Sequence, residues 1–78
     1  MSLTKVCTVK MIWCDESRSW YTDSDDIPGL TTGAKIFDDL VEKVRNIAPE
    51  LLKDNLGYVG PIEIQFEAER HEFLQAVS

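Results

Sequence analysis

The chain has 78 residues, of which 44% are hydrophobic and 28% charged, a composition typical of one folded domain rather than of a disordered chain. Its 14 acidic and 8 basic residues give a formal net charge of −6, which argues against DNA or RNA binding by this chain alone. No apolar run reaches the ~20 residues that span a membrane, and the N-terminal residues lack a signal-peptide pattern, so we expect a cytoplasmic protein without a membrane partner.

A strand is predicted over residues 5–13, because Val, Ile and Thr favour extended structure and apolar side chains occur on both alternating faces. Apolar residues on both faces are typical of a strand in the interior of a sheet. The polar stretch 14–19 predicts a turn, after which Trp20, Tyr21 and Thr22 resume the β pattern. The short connection predicts that the two strands form an antiparallel hairpin.

An acidic cluster closes the second strand and comprises Asp23, Asp25 and Asp26. The next residues predict a turn, since Pro28 fixes φ and Gly29 accepts a positive φ. A short third strand is predicted at residues 30–32.

A helix is predicted from Ile36 onward, where apolar residues recur at the helical period. They line one face, which we expect to pack on the sheet: Phe37, Leu40, Val41, Val44, Ile47 and Ala48. Pro49 predicts a kink or a restart of the helix, because proline removes a backbone hydrogen bond. Gly57 predicts a left-handed cap at the helix end.

The last predicted strand covers residues 62–69, which alternate strictly between two faces. The predicted inward residues are Ile62, Ile64, Phe66 and Ala68. The predicted outward residues are Glu63, Gln65, Glu67 and Glu69. A helix between two strands of one sheet favours a right-handed parallel crossover, which predicts that the last strand lies beside the first. Residues 70–78 predict a frayed continuation of this strand or a dimer contact.

Few residues offer metal or catalytic chemistry. Cys7 and Cys14 are seven residues apart, which places them on opposite faces of the first strand, and we expect both to remain reduced. His71 has no His or Cys at metal-ligand spacing. The acidic cluster offers oxygen ligands for a divalent cation, but its spacing matches no calcium loop and is typical of solvated turn residues. We therefore predict no metal, no cofactor and no enzyme activity.

Two stretches resemble the HicB-like antitoxin superfamily. One is the acidic exit and turn Asp25-Asp26-Ile27-Pro28-Gly29-Leu30 after Trp20-Tyr21, and the other is the helix start Phe37-Asp38-Asp39-Leu40-Val41-Glu42-Lys43-Val44. Pro49-Glu50-Leu51-Leu52 followed by Asn55 is similar to a single-domain, uncharacterised branch of that superfamily. The resemblance covers roughly residues 8–70. It implies a bacterial protein-binding domain with a partial ribonuclease-H-like sheet that covers a small basic toxin nuclease.

Three features depart from that superfamily. Ile36 stands where relatives place a Thr or Ser cap, and the hairpin lacks the usual glycine. No helix-turn-helix or ribbon-helix-helix module follows the domain in these 78 residues, so DNA binding does not carry over. A ribonuclease-H-like fold also suggests nuclease activity by two-metal hydrolysis. That reaction requires a carboxylate on the central strand, and residues 5–14 contain none.

The sequence as a whole predicts one α+β domain over residues 1–78, with the order β-β-β-α-β and a small mixed sheet covered on one face by a kinked helix. We predict that an acidic surface masks a small basic toxin. The candidate partner-binding residues are Trp20, Asp23, Asp25, Asp26, Glu63, Glu67 and Glu69. The alternatives are a stand-alone structural or regulatory homodimer, a face that serves only solubility, and a small-ligand crevice near Pro28-Gly29.

Overall fold

The computed structural model describes residues 4–77. Residues 1–3, on which the expectation of no signal peptide partly rests, and Ser78 lie outside the described residues. The chain forms one helix on a four-stranded sheet, which confirms the predicted α+β class and the β-β-β-α-β order. The elements are β1 (Lys5–Cys14), β2 (Ser19–Asp23), β3 (Gly33–Ala34), α1 (Phe37–Leu56) and β4 (Ile62–Glu69).

The sheet has the strand order β3-β2-β1-β4, so β1 occupies an interior position as predicted. β2 pairs with β1 in antiparallel orientation, with Trp13 opposite Trp20. β4 pairs with β1 in parallel orientation, with Val9 opposite Phe66, which confirms the predicted crossover through the helix. The hairpin turns without glycine because Arg18 adopts a left-handed conformation with φ 54°.

The core lies between the sheet and one face of α1. Every second residue of β1 from Cys7 to Met11 is fully buried, and so is every residue of a helical stripe at the spacing i, i+4. The buried side chains are Cys7, Val9, Met11, Ile27, Leu30, Leu40, Val44, Ala48 and Leu52. Ile27 and Leu30 come from the turn after β2, so the Ile-Pro-Gly-Leu segment closes one side of this core.

The structure corrects the bounds of one predicted strand and the burial of one predicted inward residue. The third strand lies at Gly33–Ala34 rather than at residues 30–32, because these two residues pair with Tyr21 and Trp20, whereas Leu30 turns into the core. Ala68, predicted to face inward, is exposed, although its neighbours along that face are half-buried. The buried part of β1 runs from Cys7 to Met11. Ala68 pairs with Met11, at the end of this buried stretch, and is therefore at the margin of the core.

α1 is one continuous helix of 20 residues with Pro49 in its interior, so the chain does not restart there. Gly57, at φ 65°, forms the predicted left-handed cap, and its N–H donates to the carbonyl of Lys53 at 3.0 Å. No helix within residues 4–77 is long and apolar enough to cross a membrane.

The N-terminus of α1 carries no side-chain cap. Ile36 occupies the cap position with φ −111° and ψ 130° and makes no capping hydrogen bond, while Asp38 and Asp39 lie in the first turn. Replacing Ile36, which is exposed, with Asp is expected to raise the free energy of unfolding by about 1 kcal/mol, because its carboxylate would accept a first-turn N–H. Urea denaturation of I36D against I36A measures this gain, and equal stability of the two variants would contradict it.

Candidate protein-binding face

The sheet has one face that the helix does not cover, which we call the open face. Because side chains alternate along a strand, the residues of β1 between the buried Cys7, Val9 and Met11 point to this face. Strand register adds Tyr21 from β2 and the polar residues of β4. The open face therefore carries Val6, Thr8, Lys10, Ile12, Tyr21, Asp23, Glu63, Gln65, Glu67 and Glu69, and the segment after β2 adds Asp25 and Asp26 at its edge.

An acidic crevice of about 190 Å³ lies on the open face. Register explains how it forms, since Lys10 pairs with Asp23 on one side and with Glu67 on the other. The segment after β2 then brings two further carboxylates to the same place. The lining residues are Thr8, Lys10, Asp23, Ser24, Asp25, Asp26 and Glu67. Four of the seven sequence-predicted residues thus meet around one lysine.

Two side chains hold the wall of this crevice against β1. β2 ends at Asp23, so the backbone of Thr8 has no strand partner on that side. Instead, the Thr8 N–H donates to Asp26 Oδ2 at 2.8 Å, and Ser24 Oγ donates to the Thr8 carbonyl at 2.7 Å. These bonds replace strand pairing and fix the acidic segment in place.

This geometry separates the structural role of Asp26 from its charge. D26A is expected to lower the free energy of unfolding by about 1 kcal/mol, because the Thr8 N–H loses its acceptor. D26N keeps an oxygen at that position and is expected to retain most of the stability. Urea denaturation of both variants measures the difference, and an equal loss in D26A and D26N would show that the carboxylate charge, not the hydrogen bond, matters.

Within residues 4–77, most carboxylates of the open face form no ion pair, although Lys10 lies in the same crevice. Lys10 Nζ lies 3.9 Å from Glu69 Oε1, and Glu63 accepts a hydrogen bond from Gln65 Nε2 at 3.1 Å. Among residues 4–77, Asp23, Asp25 and Glu67 take part in no ion pair. The face thus concentrates negative charge that a basic partner is able to neutralise.

Trp20 lies on the other face of the sheet, under the helix. Its ring makes edge-to-face contacts with Trp13 at 5.4 Å and with Phe37 at 5.1 Å between ring centroids. Trp20 is half-buried and packs against the core, so it does not border the acidic crevice. The aromatic residue on the open face is Tyr21, which is 44% exposed and which sequence reasoning did not select. Its place next to Trp20 in an alternating strand was the available signal.

The Pro28-Gly29 turn packs directly against the end of α1. Asn55 Nδ2 donates to the Pro28 carbonyl at 2.9 Å. A Cβ added at Gly29, which has φ 83°, would lie 3.3 Å from Asn55 Nδ2 and 3.5 Å from Leu51 Cδ2. Helix atoms therefore occupy the space beside this turn, where the sequence suggested a ligand crevice.

The chemically reactive groups are dispersed. Both cysteines are free thiols; burial raises the pKa of Cys7, whereas a hydrogen bond with Ser17 lowers the pKa of Cys14. Across the part of the chain that the structure describes, no group of three His, Cys, Asp or Glu side chains is arranged to hold a metal ion.

The fold and its open face define a small α+β domain with one helix on a mixed sheet. The chain belongs to the family described as Domain of unknown function (DUF1902), which matches residues 6–77. It is also similar to a solved structure, the hypothetical protein TTHA1013 from the extremely thermophilic bacterium Thermus thermophilus, with 34% identity and a TM-score of 0.77. That match covers 90% of this chain and 100% of the other. No curated protein matches the chain.

Proposed function

We propose that this chain is a non-enzymatic protein-binding domain whose acidic open face binds a basic protein. The observation that supports it most strongly is the convergence of Asp23, Asp25, Asp26 and Glu67 on one crevice. Glu63 and Glu69 extend the same charge along β4. Five of these six carboxylates, all except Glu69, take part in no ion pair within residues 4–77, so a partner with Lys or Arg side chains gains their attraction at a small desolvation cost.

The resemblance of the turn and helix start to HicB-like antitoxins suggests what the partner does. We propose that it is a small basic toxin nuclease and that the domain covers the surface with which the toxin binds RNA. A basic nuclease attracts phosphates through the same side chains that the open face attracts. Occupying them excludes the RNA by charge and by volume, without a chemical step. Tyr21 offers an exposed aromatic ring at the margin of that contact.

Affinity capture from the native cell lysate tests this proposal, with two matched variants as bait. D25N/E63Q/E67Q removes three charges from the open face, and D39N/E42Q/D54N removes three from the exposed side of α1. Net charge changes equally in both. We expect the wild type and the helix variant to recover the same small basic protein, and the open-face variant to lose it.

Raising salt from 50 to 300 mM is expected to weaken that capture, because screening shortens the range of exposed charges to below about 8 Å. The recovered protein, purified alone, is then assayed for RNA cleavage with and without this domain. Inhibition by the wild type and not by the open-face variant is the expected result. Equal capture by both variants, or a partner that is acidic, would overturn the proposal.

A further inference from the structure

A short arm of residues 70–77 follows β4, and we call it the C-terminal arm. Its first residue is held to the body, since the Arg70 guanidinium lies 4.3 Å above the Trp13 ring. Beyond that point it carries three apolar side chains that contact almost nothing: Phe73 is 97% exposed, Leu74 86% and Val77 99%. The protein measures 60 Å along its longest axis and 23 Å across, while α1, with 20 residues, accounts for only about 30 Å. The arm projects from the body.

An apolar groove of about 250 Å³ lies at the opposite end of β4. It is formed by the second half of α1 and the segment that leads into the strand. Its lining is Pro49, Glu50, Lys53, Tyr58, Val59, Gly60 and Ile62. Val59 is 79% exposed although it is aliphatic, so no segment within residues 4–77 covers this groove.

The arm cannot reach the groove of its own chain. β4 has 8 residues and separates the two by about 25 Å, and the arm leaves the strand pointing away from the groove. The arm contains no glycine or proline that would favour a tight reversal. An antiparallel second copy removes the obstacle, because its strand start lies beside the first copy's strand end.

The outer edge of β4 makes this arrangement available. β4 is the last strand in the order β3-β2-β1-β4, so one side of its backbone has no strand partner among residues 4–77. We consider a two-fold axis perpendicular to the sheet. Equivalent side chains of the two copies then share a face, and the register must pair one residue with its own copy. At the middle of β4 that residue is Gln65 or Phe66. Continued past the ends of the strand, these two registers bring Phe73 and Leu74 of one copy near residues 56–59 of the second copy, where Val59 lines the groove.

We infer that two copies of this chain associate through their β4 edges and that each C-terminal arm docks Phe73 and Leu74 in the apolar groove of the other copy. The two apolar surfaces are complementary in character, and each copy supplies one of each, as a closed two-fold dimer requires. The helices lie on one side of the extended sheet, so both open faces stay accessible on the other. The inference therefore goes beyond the proposed partner binding and does not depend on it.

Charge gives the dimer a distinctive salt dependence. The pairing sets Glu63 of one copy opposite Glu67 or Glu69 of the other, so like charges meet across the new strand pair. Salt screens this repulsion and is expected to strengthen the dimer. Binding of a basic partner to the open face has the opposite sign, since salt weakens it. The two interactions are thereby distinguishable in one titration.

Sedimentation velocity of the pure full chain from 1 to 300 μM tests the inference. We expect a monomer–dimer equilibrium that shifts toward dimer between 50 and 500 mM NaCl. F73K/L74K on the arm and V59D in the groove are each expected to raise the dissociation constant by more than about 100-fold, since each removes apolar burial from both halves of the dimer. All three residues are exposed, so circular dichroism is expected to be unchanged.

Two controls make the result specific. F73L/L74F exchanges the two side chains, keeps the arm apolar and is expected to keep the dimer. Mixing F73K/L74K with V59D is expected to restore association, because one arm and one groove of the mixed pair are intact and the other half sets Lys against Asp. A wild type that stays monomeric at 300 μM, arm variants that dimerise like the wild type, or a mixture that stays monomeric would each overturn the inference.

Discussion

Replacing Trp20 with alanine is expected to lower the free energy of unfolding by about 3 kcal/mol. Its ring stands between Trp13 and Phe37, with interplanar angles of 63° and 81° and centroid distances of 5.4 and 5.1 Å. Edge-to-face pairs contribute beyond their buried area, and this row joins β1, β2 and the start of α1. Removing the middle ring leaves the outer two without their shared neighbour. Urea denaturation followed by circular dichroism measures the loss.

Tyr21 provides the matched control. It is the next residue in β2 but points to the open face, where it is 44% exposed. Y21A is expected to lower the free energy of unfolding by less than about 1 kcal/mol, since little packing is removed. For the proposed binding of a basic partner, Y21A is expected to weaken capture, while W20A, measured below its unfolding midpoint, is expected to leave it unchanged. Equal destabilisation by both substitutions would contradict the placement of Trp20 under the helix.

Trp20 also shows where sequence reasoning stops. Alternation establishes that Trp20 and Tyr21 point to opposite faces, but not which face the helix covers. That depends on the register Trp13 opposite Trp20 and on the position of Phe37 at the start of α1. Register is a property of two paired strands, and the position of the helix is a property of the whole fold. A single strand of five residues contains neither.

Other parts were predictable because local pattern and global fold agree. β4 alternates strictly, β1 is apolar on both faces, and a helix separates them, so a parallel pair followed from the handedness of crossovers. Gly57 ended the helix for a local reason, its positive φ. Predicting the acidic crevice requires both the sequence and the register of the strands. Its residues were visible as acidic, but only the register of Lys10 with Asp23 and Glu67 joins them.

Pro49 is the position where local rules and the fold disagree, and P49A is expected to stabilise the protein by about 2 kcal/mol. The residue lies inside α1, where a proline lacks the N–H that would donate to the carbonyl of Arg45. Proline costs about 3 kcal/mol relative to alanine in a helix interior. Proline also restricts the unfolded chain, and this offsets about 0.4–1 kcal/mol of that destabilisation. The helix persists because the side chains around it, Ala48 and Leu52, are fully buried on the sheet.

Thermal unfolding measures the gain, and about 2 kcal/mol corresponds to a rise in Tm of roughly 8–16 °C for a chain of this size. The control is E50A, which changes the next exposed helix residue without altering the backbone and is expected to stay within about 0.5 kcal/mol of the wild type. Because Pro49 lines the apolar groove, both variants are measured at low micromolar concentration, where we expect the proposed dimer to dissociate. A P49A protein no more stable than E50A would mean that the helix already accommodates the missing bond at Arg45 without cost.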